Sequence, residues 1–135
     1  MKAKEGIRVT FVTADSCRAR LEQLTQILVF SFPGSTIYQH TDLLRVPHDV
    51  LNHKVDAVLL EAEMEKMNTL ELVQKLRREK PTLPVFIISK SYDHYAAAAA
   101  AGANGYFVLP GSEQNLLAAI RLVETKRNPH KCEGS

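Results

Sequence analysis

The segment from Val55 to Leu60 constrains the fold most strongly, because it is short and almost wholly apolar. It reads VDAVLL, and a glutamate, Glu61, follows it directly. A strand that is covered by helices on both sides carries apolar side chains on both of its faces. An amphipathic pattern with Met67, Leu70, Val73 and Leu76 comes next and predicts a helix. Ligands gather beyond the carboxyl ends of such strands, so Glu61 is the first candidate site residue.

The same alternation of a strand and a helix extends over the whole chain. The predicted strands are Ile7–Val12, Ser35–His40, Asp56–Leu60, Val85–Ser89 and Gly105–Leu109. Helical patterns separate them, beginning near Cys17, Pro47, Met67 and Tyr92, with a last one through Leu116 and Val123. Alternating strands and helices predict an α/β domain with a parallel sheet. Right-handed crossovers would then place helices on both faces of that sheet.

Size and charge limit the kinds of protein that this chain can be. The length of 135 residues and the lack of internal repeats predict one domain, residues 1–125, followed by a polar linker or tail, residues 126–135. Seventeen basic and fifteen acidic residues give a net charge of +2, which is too balanced to predict a nucleic-acid-binding surface. No apolar run reaches the roughly 18 residues of a membrane span. We interpret Cys17 and Cys132 as free thiols of a cytoplasmic protein.

Two long segments, together with the element order, resemble the receiver domain of two-component response regulators. They read VDAVLLEAEMEKMNTLELVQKLR and PVFIISKSYDHYAAAAAAGANGYFVLP, and the resemblance extends over about residues 7–125. Residues 91–96, SYDHYA, resemble the receivers of LytTR-type regulators. The resemblance implies a flavodoxin-like (βα)5 fold, which is a doubly wound parallel sheet with strand order 2-1-3-4-5.

The resemblance also implies where phosphoryl-transfer chemistry would lie. Receivers phosphorylate an aspartate at the end of the third strand, and acidic residues after the first strand hold Mg²⁺. In this chain the phosphoacceptor-equivalent position holds Glu61. The acidic-pocket positions fall on Thr13 and Ala14, with Asp15 one place later. The resemblance therefore predicts a pocket that has lost most of its usual carboxylates.

Two further positions complete the comparison with receivers. Receivers bind the phosphoryl oxygens with a serine or threonine after the fourth strand and a lysine after the fifth. Ser89 matches the first of these, whereas the lysine-equivalent position holds Leu109, which cannot bind an anion. Ser89 and Tyr106 occupy the positions of the receiver switch, in which the hydroxyl and the aromatic ring move together. An alternative is that Tyr106 is an ordinary strand residue with its hydroxyl at the surface.

The carboxylates near the third strand leave a metal hypothesis open. Asp15, Glu61 and Glu63 could form an acidic cluster that binds a cation. Alternatively, Asp15 caps the first helix, and Glu61 pairs with Lys66, Lys90 or a backbone N–H group. We expect no metal and no cofactor, with Mg²⁺ required only if the domain is an active phosphoacceptor.

We therefore expect a degenerate receiver that signals by protein–protein contact without phosphorylation and is not an enzyme. A protein partner or a second copy would dock through about residues 90–125, which include the alanine run Ala96–Ala101. A histidine kinase upstream and a transcription-regulating output would belong to the longer protein. One alternative is an active phosphoacceptor that uses Glu61 or Asp15. Another is a flavodoxin-like protein that binds a small ligand.

Overall fold

The structure, a computed structural model, describes residues 8–64 and 68–127. Several predicted features lie outside the described residues. They include the start of the first strand at Ile7, Lys66 as a partner of Glu61, Met67 on the third helix, and Cys132 in the polar tail. Cys17 is a free thiol. In the part of the chain that is described, no helix combines the length and the apolar character that crossing a membrane requires.

Five strands alternate with five helices along the chain. The strands are β1 (Thr10–Ala14), β2 (Thr36–His40), β3 (Ala57–Glu61), β4 (Val85–Ser89) and β5 (Gly105–Val108). The helices are α1 (Arg18–Ser31), α2 (Val46–Asn52), α3 (Thr69–Glu79), α4 (Tyr95–Ala101) and α5 (Glu113–Arg127). All strand pairs are parallel, and the strand order is β2-β1-β3-β4-β5. The predicted flavodoxin-like fold is confirmed.

Two apolar cores cover the two faces of the sheet, because successive strand residues point to opposite sides. Val58 and Leu60 of β3 face the core that α2, α3 and α4 cover. Leu59, between them, faces the other core together with Leu28 of α1 and Leu116 of α5. All five residues of β3 are buried. The central strand is therefore apolar on both faces, as the sequence predicts.

Several element boundaries differ from the prediction. Strand β1 runs to Ala14, beyond the predicted end at Val12, because Thr13 and Ala14 pair with β2 on one side and β3 on the other. Strand β3 begins one residue later than predicted, since the Asp56 carboxylate accepts a hydrogen bond from the Thr10 N–H. It also includes Glu61, which is in register with Ile88 of β4. The last of these differences puts Glu61 inside the sheet.

The predicted helix limits differ in the same modest way. Helix α4 begins at Tyr95 and not at Tyr92, because a turn joins the Tyr95 N–H to the Tyr92 carbonyl. It ends at Gly102, which has a left-handed φ of 106° that favours glycine. Helix α2 contains Pro47 in its first turn, as predicted. Helix α5 continues to Arg127, two residues beyond the predicted domain end at residue 125.

Candidate functional site

The candidate site lies at the carboxyl ends of the three central strands. Ala14 of β1 is in register with Leu60 of β3, and Glu61 of β3 is in register with Ile88 of β4. The next residue of each flanking strand, Asp15 or Ser89, therefore lies beside the end of β3. Open parallel sheets place their ligands at this edge. The fold brings Asp15, Glu61 and Ser89 to one place, as the resemblance predicts.

Glu61 is buried at this edge of the sheet, with 3% of its surface exposed. Its Oε1 accepts a hydrogen bond of 3.0 Å from the Glu63 N–H, and its backbone carbonyl accepts one of 2.9 Å from the Thr69 hydroxyl. The pairing with a backbone N–H was one of the predicted alternatives, whereas Lys66 lies outside the described residues. The carboxylate is thus folded back onto its own loop.

The surroundings of Glu61 favour its neutral form. Burial raises the pKa of the Glu61 carboxyl group above its ordinary value, because the charged form loses hydration. The negative charge of Asp15 raises the pKa further, while the Glu63 N–H and the positive charge of Arg20 act in the opposite direction. The charges of Asp15 and Arg20 therefore act on the Glu61 carboxyl group in opposite directions.

Asp15 is engaged on both of its carboxylate oxygens. Oδ1 accepts hydrogen bonds from the Cys17 N–H at 2.8 Å and from Nη2 of Arg20 at 3.0 Å, and Oδ2 accepts one from Nε of Arg20 at 3.1 Å. The prediction that Asp15 is the N-cap of the first helix is wrong. The N-cap is Cys17, which makes no side-chain capping bond, and Asp15 instead forms a turn with the N–H two residues later.

Arg20 is a site residue that the sequence analysis missed. It lies at the third position of α1, and its guanidinium forms a two-pronged pair with Asp15. The hydrogen bonding that Arg20 donates to the Asp15 carboxylate is the main reason why the pKa of Arg20 is raised. Burial opposes this shift, and the charges of Asp15, Cys17 and Glu61 act in the same direction as the hydrogen bonding. A basic residue in the first turn of a helix is unfavourable for the helix dipole, and this was the available signal.

Thr13 and Ala14 supply no carboxylate to the pocket. Thr13 is fully buried within β1, and Ala14 is 2% exposed. Among the described residues, the Thr13 hydroxyl has no hydrogen-bond partner. The acidic-pair positions are therefore filled by side chains that cannot balance the charge of a divalent cation.

The metal hypothesis based on Asp15, Glu61 and Glu63 does not match the geometry. The carboxylate of Asp15 is taken up by Arg20, and Glu63 Oε2 lies 2.6 Å from Nε2 of His94. Among the residues that the structure describes, no group of three or more His, Cys, Asp or Glu side chains could hold a metal ion. The residues present do not fit the magnesium ion that the receiver resemblance implies.

Ser89 and Tyr106 are both attached to the segment that joins β4 to α4. Ser89 is 5% exposed, and its hydroxyl accepts a hydrogen bond of 3.3 Å from the Ser91 N–H. The Tyr106 hydroxyl donates to the Ser91 carbonyl at 2.7 Å and accepts from the His94 N–H at 3.3 Å. The hydroxyl of Tyr106 is thus anchored to backbone, and Ser91 links the two switch positions.

Leu109 places an apolar side chain at the position where receivers have a lysine. Its N–H donates a hydrogen bond of 2.9 Å to the Ser89 carbonyl and so extends the ladder between β4 and β5. Its half-buried side chain packs against the core on the α1 and α5 face. This position therefore contributes packing and no charge to the site.

Comparisons with known proteins agree with this geometry. The sequence matches the response regulator receiver domain family over residues 11–121. It is 28% identical over 123 residues to the response regulator MprA of Mycobacterium sp. (strain KMS), covering 90% of this chain and 53% of that protein. It is 35% identical over 83 residues to the response regulator ArlR of Staphylococcus aureus (strain Mu50), covering 60% of this chain and 37% of that protein. The chain spans about half the length, or less, of these curated relatives.

Solved structures of receiver domains share the fold. A response regulator receiver domain protein from Clostridium thermocellum superposes with a TM-score of 0.76 at 18% identity, covering 88% of this chain and 96% of that one. A CheY-like receiver domain protein from Methanospirillum hungatei JF-1 gives 0.76 at 19% identity, with 90% and 98% covered. These similarities show the fold, and the sequence match shows the family. The chain belongs to the response regulator receiver domain family of two-component systems.

Proposed function

We propose that this receiver domain is a degenerate one, which passes on its signal by protein–protein contact without magnesium-dependent phosphorylation of an aspartate. The engagement of Asp15 carries the proposal. The carboxylate that follows β1 has both oxygens occupied by Arg20 and a backbone N–H. A magnesium ion that bound Asp15 would have to displace these donors, and the charge-assisted hydrogen bonds of the two-pronged pair would be lost.

Glu61 supports this proposal and is a poor substitute for a phosphorylated aspartate. A phosphoryl group carries a charge of roughly −1.5 to −2 and three acceptor oxygens. The Glu61 carboxylate carries at most one negative charge. Burial raises its pKa and so disfavours that charged form. Leu109 also offers no cation to it. The domain is therefore expected to stay in one arrangement, with Tyr106 bound to Ser91.

The output surface in this proposal comprises α4, β5 and α5, within residues 90–125. Tyr92 and Tyr95 are 66% and 54% exposed, and both rings contact Tyr106, with centroid distances of 6.2 and 5.5 Å. Four of the alanines of α4 are exposed beside them: Ala96, Ala97, Ala99 and Ala100. Aromatic side chains are enriched at protein interfaces. A protein partner or a second copy of the chain would dock here.

The finer assignments are part of the same proposal. We place the domain nearest to LytTR-type receivers on the sequence of residues 91–96. We propose that it is not an enzyme, needs no cofactor and works in the cytoplasm. This chain spans about half the length of its curated relatives. For the whole protein we propose an upstream histidine kinase and a transcription-regulating output.

A phosphodonor experiment tests the central proposal. The protein is incubated with Mg²⁺ and a small phosphodonor such as acetyl phosphate, and its intact mass is measured. We expect no added phosphoryl mass. A stoichiometric adduct would favour the alternative, an active phosphoacceptor, which the presence of Ser89 and Tyr106 supports. Repeating the experiment with Glu61→Gln and Asp15→Asn would then locate the modified residue.

A cavity supports the remaining alternative, a small-ligand binder. It measures about 740 Å³ and is lined by Asp56, Pro84 and Asn104, which precede β3, β4 and β5, as well as by Phe86 and Val123. This volume lies in the usual range for ligand sites. The cavity is at the amino ends of the strands, opposite to the edge where this fold places ligands. A flavin or nucleotide extracted from the purified protein would support this alternative.

A further inference from the structure

Arg20 forms a two-pronged and partly buried ion pair with Asp15. Its guanidinium places Nε and Nη2 on the two oxygens of Asp15, at 3.1 and 3.0 Å. The side chain of Asp15 is 7% exposed and that of Arg20 is 35% exposed. Arginine suits this arrangement because its planar fork matches the spacing of the two carboxylate oxygens. The positive charge is thus fixed at the end of β1.

The charge of Arg20 acts on Glu61 as well as on Asp15. The two carboxylates follow neighbouring strands, because Ala14 is in register with Leu60. Arg20 lowers the pKa of Glu61, and Glu61 in turn contributes to the raised pKa of Arg20. The charge of Arg20 therefore acts on both carboxylates, and its two hydrogen bonds go to Asp15.

We propose that Arg20 is a built-in cation, which stands where two carboxylates would otherwise bind a divalent ion and which keeps the pocket closed to such ions. The proposal rests on the proposed function and deepens it. Carboxylate oxygens are the ligands that Mg²⁺ and Mn²⁺ prefer. A divalent ion entering the pocket would meet the guanidinium charge and would have to displace its two hydrogen bonds. A tethered cation is always present, whereas a free ion must be captured from solution.

This role distinguishes Arg20 from an ordinary structural ion pair. If the pair served only to fasten α1 to β1, its removal would change stability and leave the affinity for divalent ions unaltered. If Arg20 is a substitute cation, its removal exposes Asp15 and Glu61 as ligands with no counter-charge. The two roles therefore predict different results for metal binding, which is a readout apart from any phosphorylation.

Binding of Mn²⁺ to the folded protein, measured by electron paramagnetic resonance, tests the proposal. We expect Arg20→Ala to bind one Mn²⁺ ion with an affinity at least about tenfold above that of wild type, because in wild type the ion would meet the guanidinium charge. Arg18→Ala is the matched control, because it removes an equal charge from an exposed position two residues away. It should behave as wild type. Asp15→Asn added to Arg20→Ala should abolish the binding.

The possible results separate the two proposals. If neither wild type nor Arg20→Ala binds Mn²⁺, the inference about Arg20 is wrong and the proposed function stands. If wild type binds the ion as tightly as Arg20→Ala, the inference is wrong, and a phosphoryl adduct in the same sample would overturn the proposed function too. Circular dichroism checks the fold of each variant. Should Arg20→Ala fail to fold, Arg20→Gln keeps a hydrogen-bond donor without the charge and must bind Mn²⁺ as well.

Discussion

Two buried polar side chains at neighbouring strand ends differ in whether they have a hydrogen-bond partner. Glu61 accepts a hydrogen bond from the Glu63 N–H, whereas the Thr13 hydroxyl has no partner in the part of the chain that the structure describes. A buried polar group without a partner costs about 1–3 kcal/mol. The pocket therefore carries an energetic cost at Thr13, where the resemblance to receivers predicts an acidic residue.

Replacing Thr13 with valine should stabilise the protein. Thr13→Val keeps the shape of the side chain and removes the unpaired hydroxyl, so we expect the free energy of unfolding to rise by about 1 kcal/mol. Urea denaturation measures the change. Thr69→Val is the matched control, since the Thr69 hydroxyl is bonded to the Glu61 carbonyl and its loss should lower the stability by a similar amount. A loss of stability in Thr13→Val would contradict the assignment of an unpaired hydroxyl.

Glu61 gives a prediction about pH. Burial raises its pKa in the folded state above the ordinary value of 4.5, so the folded protein holds this proton more tightly than the unfolded chain. The stability that comes from the neutral form is present below the ordinary pKa and is lost as the pH rises through the raised pKa. Glu61→Gln is always neutral and keeps an oxygen for the Glu63 N–H.

We therefore expect the stability advantage of Glu61→Gln over wild type to be small at low pH and to grow as the pH rises. Urea unfolding at a series of pH values, from below the ordinary carboxyl pKa to neutral pH, measures this difference. An advantage that does not change with pH would contradict the raised pKa, and a disadvantage that grows as the pH rises would show that Glu61 is stabilised as an anion in the folded protein.

Helices α1 and α3 differ in whether a side chain accepts hydrogen bonds from the backbone N–H groups of the first turn. The Asn68 side chain accepts hydrogen bonds from the N–H groups of Leu70 and Glu71 at the start of α3, at 3.0 and 3.2 Å. Helix α1 has Cys17 at the same position without a side-chain capping bond. The start of α3 is therefore fixed locally, whereas the start of α1 depends on Asp15 and its contacts.

The capping difference is measurable. Asn68→Ala should lower the free energy of unfolding by about 1 kcal/mol, because two N–H groups lose their acceptor. Cys17→Ala changes the corresponding position of α1 and should have an effect well below that. Urea denaturation of both variants tests the comparison, and equal losses would argue that Asn68 contributes by something other than its cap.

At the scale of the whole molecule, the two faces of the sheet are covered differently. Helices α1 and α5 cover one face, and α2, α3 and α4 cover the other. At the β5 edge the sheet ends beside α4, where Tyr92 and Tyr95 are exposed. The proposed output surface thus combines a sheet edge, a short alanine-rich helix and an aromatic cluster.

Self-association through this surface should depend on its tyrosines. Tyr95→Asp places a charge in the aromatic cluster, and we expect it to weaken a homodimer at least about tenfold, as a buried unpaired charge does. Sedimentation velocity over a range of concentrations measures the change. Leu51→Asp is the matched control, because Leu51 is 76% exposed on α2, away from this surface. Equal effects of both substitutions would exclude the α4–β5–α5 surface as the dimer contact.

The sequence by itself determined the order of the elements, the parallel sheet and which residues replace the charged groups of a receiver. Strands such as Val85–Ser89 were predicted with their observed bounds, because apolar runs and helical spacing are encoded by residues close together in the chain. The resemblance to receivers placed Thr13, Ala14 and Leu109 at receiver positions. Boundaries such as the end of β1 were wrong, since pairing with strands on both sides extends a strand beyond its local preference.

Only the tertiary structure decided how the remaining charges are used. Arg20 could be read as a solvated helix residue until the placement of α1 aimed its guanidinium at Asp15. The contact between Glu63 and His94 joins residues 31 positions apart, and Glu61 is buried at the end of the central strand. Distances and directions between side chains on different elements follow from packing, to which no local pattern refers. The sequence thus shows which receiver groups are replaced, and the packing shows that Arg20 pairs with Asp15 while Glu61 accepts a hydrogen bond from the Glu63 N–H.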